Sequence, residues 1–420
     1  MKNNKKVFII GGGFSGCISA LLLSQLGYKV SLFERGEKLG GASKDIVFDK
    51  QVFFNGPHYF NPNSKWLKLI KDKKEFKNEF KILGPKKIGN KEFNIHRSYT
   101  DLFGATEVNN LFAQPVTSLS FEKILNNKKI DTLYSRLNSF QVNVRNPLNK
   151  WCETISKISN QLHASCAERL NIGRICFIND LKRTAKIKKI NKMADQILGV
   201  PKIANTEQKY CLAKNGNNSF YKKFEKLLKK KINIKFNSSI KIDCKKKNDV
   251  KIYESNNLLK ADKFIWAANP VNLIKTLGYG KLDNPVTKVK IYCANIEFLD
   301  NCFFDNLYIQ VFSLKTNIFR VYLYKTGSKH KITIETFFNR ENKSLDKKKL
   351  KKIMKSFNIV FKFTSEIYEK KEIRHNLLTQ QDYIKLSKFD KDFKNTMLIG
   401  GGWSLRGREN KINHIMKHFN

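Results

Sequence analysis

The chain has 420 residues, 41% of them hydrophobic and 12% aromatic, a composition that excludes a disordered polymer and a length that suits two or three domains. Its formal charge is +44, and no stretch reaches the roughly eighteen uninterrupted apolar residues of a membrane span. The eight cysteines are scattered, without a C-x-x-C pair or a His/Cys ligand spacing, so they read as thiols of a reducing cytoplasm and argue against a metal site.

The first element is a short apolar strand, Val7 to Ile10, followed by a glycine turn, a helix carrying Ala20, Leu21, Leu22, Leu23 and Leu26, a second turn at Gly27, and a second strand ending in an acid, Glu34. That order is the opening βαβ half of a dinucleotide-binding fold. Gly11 allows the tight turn, Gly13 lets backbone approach a pyrophosphate, and Gly16 lets the helix pack on the strand. The pyrophosphate then lies at the helix N-terminus, where unpaired N–H groups and the dipole favour an anion. Glu34 stands where a ribose 2′-hydroxyl would donate to it, and its charge disfavours the 2′-phosphate of NADP. A secretory leader is the competing reading, since Lys2, Lys5 and Lys6 precede the apolar run and Phe14-Ser15-Gly16-Cys17 has the outline of a lipoprotein cleavage box. Three consecutive glycines interrupt that run, however, and it continues into the second strand that the fingerprint requires.

Beyond Glu34 the residues Arg35-Gly36-Glu37-Lys38-Leu39-Gly40-Gly41 complete a pattern that resembles the extended fingerprint of the flavin-containing amine oxidase superfamily, which includes protoporphyrinogen oxidase, phytoene desaturase and UDP-galactopyranose mutase. The resemblance implies FAD as the cofactor, with Gly40 and Gly41 close to its pyrophosphate. It also implies cofactor contacts from Phe14, Ser15, Arg35 and Ala42. The fold it implies is α/β: a Rossmann-like FAD-binding domain of three ββα layers, made of residues 1–92, 205–287 and 390–420. An inserted α+β substrate domain with an antiparallel sheet would take residues 93–204 and 288–389.

Ile46 to Asn61 holds two short apolar runs and then Gly56-Pro57-His58-Tyr59-Phe60, which looks like the glycine-and-histidine loop that faces the flavin in UDP-galactopyranose mutases. His58 is a catalytic candidate on that ground; a histidine satisfied in a buried turn is the alternative. Lys65 to Phe80 fits an amphipathic surface helix, with Trp66, Leu69 and Ile70 on one side. From Phe93 to Pro201 the period is mostly helical, notably over Trp151 to Leu170, and Arg136, Arg145 and His163 are candidates for substrate contact by position alone.

A glycine turn at Gly216 and an amphipathic helix through Phe220, Phe224, Leu227 and Leu228 come next, followed by half-buried strands Ile232–Phe236 and Ser239–Ile242. In the superfamily the residue matching Ile240 touches the adenine. Ala261 to Pro270 is a strand ending in the small residues Ala267 and Ala268, which let backbone pass beside a cofactor. Lys288 to Phe338 reads as alternating strands of an antiparallel sheet, the floor of the substrate pocket in this superfamily. Arg320 and Tyr322 are catalytic candidates there, with Tyr324 and Glu335 beside them. Asn395 to Ser404 is a strand into a glycine turn, and a helix follows from Arg408. In relatives that turn contacts the ribityl chain, so Gly401 and Gly402 are assigned to the cofactor. An acid commonly follows the first glycine in relatives, where this chain has Gly401. Arg406 and Arg408 offer positive charge to a pyrophosphate or an anionic substrate.

Together these readings describe a FAD-dependent oxidoreductase that takes hydride from a small organic substrate at the flavin N5. A redox-neutral nucleotide-sugar mutase resembling UDP-galactopyranose mutase, acting in surface-glycan synthesis, is the alternative enzyme, and the basic charge suits its nucleotide diphosphate. A third reading is a basic flavoprotein that binds nucleic acid or an anionic membrane, which would place a cytoplasmic protein peripherally at the inner membrane face. Because Lys, Asn, Ile and Phe are all abundant and the lysines are spread along the chain, compositional drift accounts for the charge better than one binding stripe does.

Overall fold

The computed structural model describes residues 5–56, 59–83, 86–88, 91–93, 96–100, 107–110, 210–244, 250–282, 287–299, 306–312, 316–337, 344–374, 380–394, 396–403 and 408–419. Two sheets organise them.

The first is parallel and five-stranded, in the order Asn233–Lys235, Lys29–Phe33, Lys6–Ile10, Lys263–Trp266, Leu398–Gly400. The central strand reads KVFII, and Val7 and Ile9 are fully buried because both faces of the sheet are covered. On one face lie the helices Phe14–Gln25, Gly216–Lys229 and Arg408–Met416, whose Leu21, Phe224 and Ile415 enter a core shared with Val7, Ile9 and Leu32. On the other lie the three-stranded antiparallel sheet Ile240–Cys244, Val250–Glu254 and Asn257–Leu258 and the helices Val271–Thr276 and Gln380–Asp392, packed on Phe264, Trp266 and Leu398. This is the three-layer ββα arrangement of a Rossmann-like nucleotide domain.

The second sheet is eight-stranded and mostly antiparallel. Its path runs Phe361–Phe363, Thr287–Phe298, Lys329–Phe337, Ile318–Thr326, Asn306–Phe312, His96–Thr100, Glu107–Asn110, and Tyr368–Arg374 also pairs with Thr287–Phe298. The four long strands expected from Lys288 to Phe338 are all present. The segments at 96–110 extend the sheet's edge, with His96–Thr100 parallel to Asn306–Phe312, where the sequence suggested helix. One sheet face carries Ile309, Val321, Leu323, Ile332 and Ile334 and is sealed by Leu350, Ile353 and Met354 of the helix Lys347–Lys355.

Lys65 to Phe80 is not one helix. A single turn, Lys65–Lys68, buries Trp66 and Leu67; a short 3-10 turn follows at Lys74–Phe76, and Phe80–Leu83 is a strand. The apolar stripe stops at Ile70, since continuing the helical period would have buried Lys73 and Lys74. The chain folds back instead, burying Phe76, and Phe80–Leu83 pairs antiparallel with Tyr210–Ala213. Elsewhere Ile46–Phe48 and Gln51–Phe53 form a hairpin whose turn residues Asp49 and Lys50 both have positive φ. Among the described residues no helix is long and apolar enough to cross a membrane, and no group of three or more His, Cys, Asp or Glu side chains is arranged to hold a metal ion.

Candidate functional site

The crevice outside the carboxyl ends of the parallel strands is built by backbone. Gly11 leaves the central strand at φ +106°, and a Cβ there would lie 2.7 Å from the Ala268 nitrogen. A Cβ on Gly16 would land on the Gly11 carbonyl oxygen, with the Ala267 methyl beyond it at 3.5 Å. Ala267 and Ala268 are therefore small because they abut the fingerprint turn from the neighbouring strand. The Gly12 peptide is held from three sides. Its N–H donates to Glu34 Oε2 at 2.7 Å, and its carbonyl accepts from the Gly40 N–H at 2.9 Å and from Cys17 Sγ at 3.3 Å. Glu34 Oε1 accepts from Gly36 N–H at 2.8 Å, so the carboxylate plane is fixed while each oxygen keeps a further acceptor position. Burial pushes the Cys17 thiol well above its ordinary range, which makes it a structural donor and not a nucleophile.

These features fit a dinucleotide. No atom lies within 4 Å of where a Cβ on Gly13 would be, and no side chain caps the helix that starts at Phe14, which leaves its first N–H groups to an anion. Phe14 itself packs into the core against Trp66, at a ring separation of 4.7 Å, so its share in such a site is its backbone; Ser15 is half-buried beside it. Gly40, at φ +119°, and Gly41 lie over this loop, where a Cβ on Gly41 would meet the Gly13 Cα at 3.3 Å; Arg35 and Ala42 are exposed at its edge. The segment before Ile240 runs beside Glu34, whose N–H donates to the Lys235 carbonyl and whose carbonyl accepts from Ser238 N–H. Ile240 packs below it in the core with Phe264. At the far edge Gly401 abuts the Trp266 carbonyl, and Gly402 turns the chain at φ +65°. Arg408 opens the last helix with its guanidinium 4.9 Å from the Phe14 ring centre and 5.2 Å from that of Phe60. His58, Arg406, Arg136, Arg145 and His163 lie outside the described residues.

A second cluster of polar side chains lies on one face of the large sheet. Along Ile318–Thr326 the register shifts between Ile318 and Arg320, and this irregularity sets Arg320 directly opposite Glu335. Arg320 Nη1 lies 3.1 Å from Glu335 Oε2, and both residues are buried, 6% and 1% exposed. Two residues along, Tyr322 donates to Asn306 Oδ1 at 2.8 Å, and its ring stacks on Tyr324 at 4.8 Å. The Tyr324 hydroxyl accepts from Phe54 N–H at 2.8 Å, and Thr333 donates to the Phe54 carbonyl at 2.9 Å. The structure thus brings Arg320, Tyr322, Tyr324 and Glu335 onto one face, and Gly56 lies against it: a Cβ there would be 3.0 Å from Glu335 Oε1. Burial pushes the Tyr59, Tyr322 and Tyr324 hydroxyls up, so they stay protonated donors at neutral pH. A Tyr322→Phe variant, which strands the buried Asn306 acceptor, is expected to lose about 1–3 kcal/mol in urea unfolding.

Sequence reasoning missed Asp45. It is 7% exposed, its Oδ2 accepts from Asn218 N–H at 2.8 Å, and its own N–H donates to Asn218 Oδ1 at 3.0 Å. It thereby caps the helix Gly216–Lys229, whose own N-cap, Asn215, makes no side-chain bond. Desolvation raises its carboxyl from an ordinary 3.8 to about 7, against the lowering effect of backbone donors led by Asn218. The native carboxyl therefore keeps a proton that the unfolded one sheds. The apoprotein is expected to lose stability as pH rises from about 4 to about 7, by on the order of 3 kcal/mol from this group. Asp45→Asn should melt higher than wild type at pH 8 and converge with it near pH 4. An acid four residues after a glycine pair and just before a strand was the available signal.

Comparison with known proteins agrees with this geometry. Residues 9–72 match the family of NAD(P)-binding Rossmann-like domains. A protein named probable UDP-galactopyranose mutase from Klebsiella pneumoniae is 38% identical over 66 residues, which is 15% of this chain and 17% of that protein, so the chain matches under a fifth of that relative's length. Among solved structures, a reduced UDP-galactopyranose mutase superposes with a TM-score of 0.60 at 14% identity, covering 98% of this chain and 94% of the other. A putrescine oxidase variant superposes with a TM-score of 0.54 at 12% identity, covering 99% and 98%. Over residues 9–72 the chain is therefore similar to NAD(P)-binding Rossmann-like domains, and as a whole it shares the fold of the UDP-galactopyranose mutase and putrescine oxidase structures.

Proposed function

We propose that the protein is a FAD-dependent oxidoreductase acting on a small organic substrate held between the nucleotide crevice and the large sheet. The observation that carries this reading is the backbone cradle from Gly11 to Gly13 with Glu34 fixed beside it, and the large sheet adds a buried face of tyrosines around the Arg320–Glu335 pair. Glu34 takes ribose hydroxyls, the N-terminus of the helix Phe14–Gln25 takes the pyrophosphate, and the turn at Gly40 and Gly41 closes over it. Bound there, the flavin supplies the electron sink that accepts hydride from a C–N or C–C bond. The chain's own work is orientation and water exclusion. Tyr322 and Tyr324 present protonated hydroxyls and flat apolar rings, and the Arg320–Glu335 pair sets the polarity of the floor. His58, Arg320 and Tyr322 remain the residues assigned to the reacting end.

A second reading, a nucleotide-sugar mutase, is favoured by one feature: Gly56, which opens the loop resembling that of UDP-galactopyranose mutases, is packed against Glu335. The two readings separate in one experiment. The purified protein should show a flavin visible spectrum. Under nitrogen, bleaching by an amine or polyene identifies the oxidoreductase, whereas turnover of a UDP-sugar only after prior reduction identifies the mutase. A colourless protein that takes up no added FAD overturns both.

A further inference from the structure

The fold gathers some of the charge that the sequence spreads. At the amino ends of the parallel strands, the end away from the glycine turn, a cavity of about 610 Å³ opens, a size that suits a small-molecule site. Its floor is one cross-strand row, in which Phe8 stands beside Ser31 and Ser31 beside Asn233. Phe8 is half-buried and held by Phe33 and Phe264, at ring separations of 5.3 and 5.7 Å. The rim is the row before it. Lys6 and Lys29 are direct partners on adjacent parallel strands, and Lys231 stands two residues before Asn233, at the entry to the third strand. Lys229 and Lys230 complete the basic lining.

The acids nearby are spent elsewhere. Glu75 pairs with Lys230, Glu225 pairs with Lys229 at 2.7 Å, and Asp262 accepts from the Lys6 backbone N–H at 2.7 Å. Among the described residues no carboxylate pairs with the ammonium groups of Lys6, Lys29 or Lys231, and all three residues are exposed. Like charges set side by side at the roughly 4.8 Å spacing of neighbouring strands repel one another. An anion laid across the row removes that repulsion.

We propose that this cavity binds a small ligand carrying two adjacent phosphate groups, which lie along Lys6, Lys29 and Lys231. Ser31 and Asn233 take its polar atoms, and Phe8 takes its apolar part. The site is separated from the glycine turn by the five-residue strand Lys6–Ile10, about 13 Å, and does not depend on the FAD reading. A free nucleotide and a phospholipid head group share this chemistry.

The test is a charge reversal, Lys29→Glu with Lys231→Glu, set against the same change on the exposed side of the helix Lys347–Lys355, Lys348→Glu with Lys351→Glu. Inorganic pyrophosphate is titrated calorimetrically into each protein at about 0.15 M salt, where a screening length of about 8 Å keeps the reversal from reaching the dinucleotide crevice. Binding at that crevice is common to all three proteins and cancels in the comparison. Pyrophosphate affinity is expected to fall about tenfold or more in the cavity variant and to stay within about twofold of wild type in the helix variant. Without ligand, Lys29→Ala should melt above wild type at low salt, because it breaks the row of like charges. ADP that binds more tightly than pyrophosphate, with the same loss, identifies a free nucleotide. Co-sedimentation with phosphatidylcholine vesicles containing diacylglycerol pyrophosphate, lost in the cavity variant alone, identifies a head group. Equal losses in the two double variants would mean that binding follows net charge, and either that result or no loss in the cavity variant overturns the proposal.

Discussion

A Gly13→Ala variant is expected to fold as the wild type does and to purify without its dinucleotide. Gly13 has φ −73° and ψ −176°, a conformation open to any L-residue, so the substitution brings no backbone strain. Nothing lies within 4 Å of the new Cβ, so nothing in the apoprotein is displaced. The space it fills is the approach to the first N–H groups of the helix Phe14–Gln25. Denying a pyrophosphate two such charge-assisted bonds, at about 1.5–3 kcal/mol each, lowers affinity by roughly a hundredfold or more. Circular dichroism and melting temperature should match the wild type while bound FAD per chain falls to near zero. Retention of a full complement of cofactor would mean that the pyrophosphate runs elsewhere. Gly16→Ala is the contrasting control, because its Cβ collides with the Gly11 carbonyl in the apoprotein and the loss appears as misfolding.

The second large effect is expected at Glu335. Removing one partner of a buried ion pair leaves the other charge in a poor solvent, which typically destabilises by about 3–5 kcal/mol. Glu335→Ala should therefore lower the urea midpoint sharply, because the buried Arg320 loses its carboxylate partner. The paired substitution Arg320→Met with Glu335→Leu should recover most of that loss, since apolar side chains of similar volume replace such pairs at little penalty. If the pair orients substrate, the double variant will be stable, will bind FAD normally, and will turn over poorly. Wild-type turnover in that double variant would reduce the pair to a structural role.

Which parts of this molecule were legible in advance follows from the range of the interactions that build them. The fingerprint is local: Gly11, Gly13, Gly16 and Glu34 lie within one βαβ unit, and their spacing implies their geometry. The alternation in IFRVYLY and KITIETFF likewise marked strands with one polar face, because a two-residue period reports burial directly. What lay out of reach depended on partners far along the chain. Nothing within the strand at 96–100 marks it as the parallel neighbour of Asn306–Phe312. The register shift beside Phe319 that aligns Arg320 with Glu335 is a property of two strands, and neither shows it alone. Asp45 went unmarked because Asn218, which fixes its carboxylate, is 173 residues away. Lys65 to Phe80 misled for the opposite reason. Its first turn is helical, and the helix breaks where the lysines reach the side that Phe76 must bury.

The strand pair Phe80–Leu83 and Tyr210–Ala213 has a consequence for how such a protein can change. Leu83 and Tyr210 are direct partners, so the chain leaves the nucleotide half and returns to it through adjacent rungs of one ladder. The bridge between Phe60 and Cys211 fastens the returning strand a second time. The stretch of chain between these strands therefore begins and ends at fixed, neighbouring points. Its closure entropy grows only with the logarithm of its length, about 0.6 kcal/mol per doubling, so it can be lengthened, shortened or exchanged at small penalty to the fold. The length of chain between these two strands can thus change at one exit and one entry, while the glycine turn from Gly11 to Gly16 is inherited intact.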